Sequence, residues 1–308
     1  MLANRVRKAF ARLGPKFERA GIGAFRLYDR DIPEVRAVVD WYEGHLVVAE
    51  YERTQTAEID DYVGTLAHAA AAALDIPPER VHVRKRRTRP AEGPRYGKLG
   101  SAGRRLEVRE RDLVFLVNLD DYVDTGLFPD HRLTRGLVRA ESRGKRFLNL
   151  FAYTGSFTCA AAAGGAARTT SVDRSDSYLL WASDNLERNG LWAPEHELVE
   201  ADVEPFLARA KRARQTWDLC VCDPPSFSTG AGAPPFDVQR DHRRLVEAVL
   251  EILADGAVLY FSTSHQRFEP QLDRLAGTSV EEITSRTVPE EYRNRLVHRC
   301  WRLVRTIS

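Results

Sequence analysis

Four short stretches carry residue types that do chemistry when a fold brings them together: Tyr153-Thr154-Gly155, Asp173, Asp202 and Asp223-Pro224-Pro225-Ser226-Phe227. A glycine ahead of a helix lets backbone approach a ligand. An acid 18 residues further on lies where a carboxylate accepts hydrogen bonds from a ribose diol. A dinucleotide site wants G-x-G-x-x-G to cradle its pyrophosphate, and this loop has one glycine where that needs three. An adenosine cofactor without a pyrophosphate fits better, and S-adenosylmethionine is the common one. In D-P-P-S-F, two prolines stop a strand and stiffen the backbone while an acid and an aromatic face one pocket. Such a slot holds a planar base: the aromatic stacks, and Asp223 and the Pro224 carbonyl accept hydrogen bonds from base edges. A plain loop exit with Phe227 packed in the core is the competing reading.

The elements that must position these groups alternate strand with helix from residue 145 onward. Strands are predicted over 147–151, 169–172, 197–200, 218–222, 257–262, 280–284 and 299–305, seven in all. Ser156 is expected to cap a helix that runs to Ala163 and closes at Gly164-Gly165, and a second helix over 176–189 ends at Gly190. This is the signature of a parallel α/β sheet with helices on both faces, where ligands sit beyond the carboxyl ends of the strands. The first 118 residues read differently, as an α+β module. Val6, Phe10, Leu13 and Phe17 mark an amphipathic helix, Glu43-Gly44 a hairpin turn between two β-like runs, and Ile59 to Leu74 a helix stopped by Pro77-Pro78. The expected division is therefore 1–118 and 119–308.

The 308 residues are 43% hydrophobic and 29% charged, enough for a sizeable core, which excludes fibrous and disordered classes. The net charge of +2 is a cancellation: residues 80–111 hold 12 cations against 3 acids, leaving the remainder at −7. In that segment Arg84, Lys85, Arg86, Arg87, Arg89, Arg95, Tyr96 and Lys98 form a cationic stretch that reads as a phosphate-binding track with an aromatic for stacking. A solvated loop whose arginines pair with acids elsewhere is the alternative. No run approaches the roughly 18 apolar residues of a spanning helix, and the N-terminus lacks a secretory signal, so a cytoplasmic protein away from membranes is expected. Four scattered cysteines make neither a disulfide framework nor a tetrahedral metal site, and no metal is expected. Absence of H-E-x-x-H, Walker A and G-x-S-x-G motifs removes zinc proteases, P-loop NTPases and common esterases.

Longer ordered segments carry a resemblance: D-T-G-L-F-P-D-H-R at 124–132, N-L-F-A-Y-T-G-S-F at 149–157, N-G-L at 189–191, D-P-P-S-F-S at 223–228, F-D-V-Q-R-D-H at 236–242 and R-N-R-L-V-H-R-C-W at 293–301. With these, the sequence resembles the large-subunit (23S) ribosomal RNA methyltransferases, specifically the guanine-N7 half of the bifunctional K/L type, and more distantly the cytosine-C5 enzymes. Y-G-K-L-G at 96–100 resembles that family's accessory domain. The resemblance implies a Rossmann-like seven-stranded methyltransferase domain behind an N-terminal RNA-binding module. It implies S-adenosylmethionine bound around Phe151, Tyr153, Thr154, Gly155, Ser156, Asp173, Arg174, Asp202, Val203 and Asp223. The 124–132 segment, with Phe128, Asp130 and Arg132, would close over the methionine end, and Pro129 in it departs from the relatives' pattern. Bifunctional relatives carry a further half with an N-P-P-Y site; this sequence has no such motif, so one activity is implied. The implied substrate is 23S rRNA or a large-subunit precursor, with Asp223, Pro224 and Phe227 positioning the base.

Carbon-5 methylation of a pyrimidine needs a covalent cysteine adduct, and the two loops where it would enter, 223–228 and 261–265, contain none. Guanine N7 offers a lone pair without a proton to remove, so positioning and desolvation suffice. The choice of N7 over an exocyclic amine rests on the resemblance. His131, His242 and His265 each fall in or beside these segments as either structural or functional residues, and Arg132 and Arg240 as partners of a cofactor carboxylate, of RNA, or of Asp130 and Asp241. A small-molecule methyltransferase or a non-catalytic RNA-binding assembly factor would share parts of the pattern.

Overall fold

The structure, a computed structural model, describes residues 1–51, 61–86, 100–230, 233–292 and 296–306. It divides the chain into two compact units: Met1–Pro129 with Glu290–Arg295, and Asp130–Pro289 with Leu296–Ser308. The division falls beyond the expected residue 118 because the following loop is tied into the first unit. The Asn118 side chain accepts from the Asp120 and Asp121 N–H groups (2.9 and 2.8 Å), and Asp121 accepts from Ala102 and Gly103 (2.8 Å each). Thr125 meets the Tyr42 hydroxyl at 3.1 Å.

In the first unit the helix Leu2–Arg19 buries Leu2, Val6, Leu13 and Phe17. It packs on a four-stranded sheet of β1 (Ala24–Asp29), β2 (Ala37–Tyr42), β3 (His45–Tyr51) and β4 (Val81–Arg86). Glu43 (φ 43°) and Gly44 (φ 87°) make the two-residue turn between β2 and β3, both left-handed as a type I′ hairpin requires. β4 runs parallel to β3, which needs a crossover, supplied by the helix Tyr62–Ala73. A second hairpin joins β5 (Leu106–Glu110) to β6 (Leu113–Val117).

The second unit contains β7 (Arg146–Leu150), β8 (Arg168–Asp173), β9 (His196–Glu200), β10 (Trp217–Cys222), a hairpin of β11 (Phe227–Gly230) and β12 (Ala233–Asp237), then β13 (Leu253–Thr263), β14 (Thr278–Glu282) and β15 (Arg299–Arg305). Seven of these form one sheet in the order β14-β15-β13-β10-β7-β8-β9. The seven-stranded α/β sheet is present as expected, and it is mixed at one edge: β15 lies antiparallel between β13 and β14. Antiparallel neighbours need no crossover helix, and between β13 and β15 the only α-helix among the described residues is the short Thr284–Thr287. Side chains alternate across the sheet: Leu148, Leu150, Cys220, Cys222, Leu259 and Phe261 build one core, and Phe147, Leu219, Val221, Val258 and Tyr260 the other. The chain order reverses between β7 and β10, the place where open α/β sheets leave a crevice at their carboxyl edge. No helix among the described residues is long and apolar enough to cross a membrane.

Candidate functional site

The loop after β7 is left-handed at three alternate residues, Phe151 (φ 57°), Tyr153 (φ 50°) and Gly155 (φ 73°). For Phe151 and Tyr153 that conformation costs about 1 kcal/mol each or more, so the surroundings must hold it. Asp173, at the end of β8, does so directly: one carboxylate oxygen accepts from the Tyr153 N–H and the other from the Ser175 N–H, both at 2.9 Å. The Ala152 N–H donates to Val172 (3.0 Å), and the fully buried Asn185 donates its amide to the Thr154 carbonyl at 2.8 Å. Beneath the loop, Asn149 donates to Thr158 (3.0 Å), whose hydroxyl meets Ser171 at 2.6 Å, joining β7, the helix Ser156–Ala163 and β8.

Two local expectations change. Gly155, not Ser156, occupies the N-cap position, and Ser156 is the first helical residue with no capping bond from its side chain. A Cβ on Gly155 would come within 2.7 Å of the Ala182 Cβ, so this glycine serves close packing on the helix Asp176–Arg188 as well as its positive φ. Burial pushes the Asp173 carboxyl upward from its ordinary range, opposed by the N–H donors of Ser175 and Tyr153 and by neighbouring Arg174. Asp202 follows β9 and starts the helix Val203–Arg212 through its carbonyl, while Val203 is buried.

Across the switch point, Cys222 pairs with Leu150 on one side and Phe261 on the other, so Asp223 emerges beside the Phe151 loop and beside Ser262. The Ser262 hydroxyl donates to one Asp223 oxygen at 2.6 Å. The other lies 3.6 Å from Nε2 of His131. Pro224 is buried, whereas Phe227 is 39% exposed, which removes the reading in which it packs in the core. Cys222 is fully buried on the core face, and burial together with the Asp223 charge pushes its thiol well above the ordinary range.

The 130–132 segment gathers a cluster that includes a residue sequence reasoning did not single out. His298 sends Nδ1 to Asp130 at 2.9 Å and Nε2 to Thr287 at 3.1 Å, and its ring stacks on His131 with centroids 4.2 Å apart and planes 13° apart. Two rings stacked face to face do not aim their in-plane lone pairs at one ion, so the composition of this Asp-His-His group outruns its geometry as a metal centre. The only signal for His298 was its place in the 293–301 segment; 168 residues separate it from Asp130. Arg132 is buried, and Phe128, 39% exposed, belongs to the first unit.

His242 is structural. Its Nδ1 faces the Val238 and Gln239 carbonyls (2.9 and 3.0 Å) and its Nε2 accepts from Gln271 N–H at 2.9 Å. Arg240 pairs with Asp241 at 2.7 Å. Arg84 is corrected as a phosphate ligand: it is 5% exposed and donates to the Val123 and Asn118 carbonyls. Strand alternation turns Arg84 inward and Val83 outward, at 46% exposure. Lys85 and Arg86 lie on β4, and Arg87, Arg89, Arg95, Tyr96 and Lys98 lie outside the described residues.

Comparison with known proteins bears on the same regions. A family described as S-adenosylmethionine-dependent methyltransferase matches residues 24–294. Ribosomal RNA large subunit methyltransferase K of Neisseria meningitidis is 42% identical over 98% of this chain and 86% of its own length. The K/L protein of Methylococcus capsulatus is 40% identical over 99% of this chain, which spans only 42% of that relative. Among solved structures, SMU.776, described as a methyltransferase complexed with SAH, superposes with a TM-score of 0.76 at 24% identity, covering 98% of this chain and 81% of that one. The chain thus belongs to the S-adenosylmethionine-dependent methyltransferase family, together with the relative named ribosomal RNA large subunit methyltransferase K.

Proposed function

We propose that this protein methylates a base of 23S ribosomal RNA, at guanine N7, with S-adenosylmethionine as donor. The residues present suit that cofactor. Asp173 is a half-buried carboxylate at the carboxyl edge, and beside the backbone N–H groups it accepts it keeps lone-pair capacity for a ribose hydroxyl. Tyr153 to Ser156, Asp202 and Val203 would line the adenosine side, and Asp130 and Arg132 the methionine side. The cofactor supplies an electrophilic methyl group on a sulfonium. The protein's part is to hold the purine edge-on to it and to exclude water.

The observation that carries this reading is the 223–227 loop: a carboxylate fixed by Ser262 and, four residues on in the same loop, an aromatic side chain left 39% exposed. Phe227 would stack on the base, and Asp223 and the Pro224 carbonyl would accept from its polar edge. Methylation at N7 leaves positive charge on the purine, and a nearby carboxylate favours that product-like charge. Carbon-5 chemistry lacks its nucleophile: the loops after β10 and β13 offer Ser226, Ser228 and Ser264, and Cys222 is a buried thiol. Accessory residues Lys85, Arg86, Arg87, Arg89, Arg95, Tyr96 and Lys98 would contact the RNA backbone; Arg84 is withdrawn from that set.

The test is labelled methyl transfer to undermodified large-subunit RNA, followed by nucleoside digestion. Recovery of 7-methylguanosine is expected. Methylcytidine would overturn the cysteine argument, and no transfer to any RNA would overturn the substrate class.

A further inference from the structure

We infer that His131 is a positioning residue for Asp223, holding its carboxylate from the side opposite Ser262 through Nε2–H while the Asp130–His298 pair fixes the ring. The inference rests on the reading of Asp223 as the residue that holds the base. His131 is 5% exposed, and its Nδ1 has no hydrogen-bond partner among the described residues. Its Nε2 faces two carboxylates, Asp223 at 3.6 Å and Asp130 at 3.9 Å. Carboxylates only accept, and a buried N–H without an acceptor is costly, so the neutral ring carries its proton on Nε2 and leaves Nδ1 bare.

The ring cannot turn away. One face stacks on His298, which is itself held at both nitrogens by Asp130 and Thr287, and Phe157 packs against the ring in an edge-type arrangement with centroids 5.7 Å apart. Asp223 thereby accepts a 2.6 Å hydroxyl bond on one oxygen, and on the other it faces Nε2 of the His131 ring across 3.6 Å. A neutral donor orients the carboxylate without cancelling its charge, which a base acquiring positive charge requires. A protonated His131 would put a cation between Asp223 and Asp130 and remove that advantage. The charged or titratable groups facing it are His298, Asp223, Asp130 and Arg135, and burial and His298 together hold its pKa below the ordinary value.

The experiment combines two measurements on the full chain. Ring 15N NMR of the wild type should find His131 protonated on Nε2 when neutral, and D223N should lower its protonation midpoint. Protonation on Nδ1, or a midpoint indifferent to D223N, overturns the inference whatever the substrate. Methyl transfer to large-subunit RNA, followed from about pH 5 to about pH 9, should fall on the order of 100-fold in kcat for H131F with little change in KM. H131Q, which keeps a donor, should recover much of that rate and lose the acid limb attributed to His131. Wild-type turnover by H131F overturns the inference. Failure of the wild type itself on RNA overturns the substrate reading alone, because the ring-nitrogen result then still decides the contact.

Discussion

Gly155 and His131 show how single residues set this site's limits. An alanine at 155 would need φ near 73° and would meet Ala182 at 2.7 Å, so G155A should destabilise the second unit by about 2 kcal/mol. A drop in urea midpoint together with weakened S-adenosylmethionine binding by calorimetry is the expected result. His131 gives a pH prediction with a definite sign. Its folded value lies below the ordinary 6.5, so the unfolded chain takes up the proton more readily. Its contribution to stability is complete above about pH 6.5 and is lost as pH falls through the folded value. Urea melts at about pH 7.5 and about pH 5.5 should therefore differ more for the wild type than for H131Q. Asp223, Phe227, Asp173 and Gly155 were legible from type and spacing because proline, glycine and strand-end acids have strong local meanings. His298 and Ser262 were not, since each acquires its partner only when strands far apart in sequence become neighbours.

Among the elements, the buried Asn149–Thr158–Ser171 chain carries the mechanical link between two strands and the helix below the loop. T158V keeps the shape but strands two buried polar groups, and should cost about 1–3 kcal/mol, read from urea unfolding. Each of the seven predicted strands of the second unit exists, with ends shifted by a few residues, because apolar runs bounded by turns mark strands regardless of direction. Direction is another matter. Hydrophobic pattern does not encode whether β15 runs with or against β13, and only the scarcity of helical sequence between them hinted at the answer. The inward turn of Arg84 has the same origin: a run of cations shows charge, while strand alternation decides which of them faces solvent.

For the whole molecule, the +2 total hides the basic 80–111 segment of the first unit against an excess of acid elsewhere. Replacing Arg87, Arg89 and Lys98 with serine should lower the slope of log affinity for RNA against log salt by about 0.7 for each lost phosphate contact. Filter binding over a salt series measures it, and an unchanged slope would assign these cations to intramolecular pairs. R84S should instead lower stability with the slope unaltered, since that guanidinium serves backbone carbonyls.

The chain passes from the first unit to the second after Pro129, returns for Glu290–Arg295, and leaves again. In that returning stretch Glu290 pairs with Lys16, Tyr292 lies under the Arg26 guanidinium at 4.7 Å, and Glu291 and Tyr292 are buried. No single cut separates the two units: a truncation that starts at Asp130 would expose an aromatic and an acid that the fold keeps covered. Neither unit is a detachable cassette, so transplanting the second unit onto a different partner module would require rebuilding this six-residue splice.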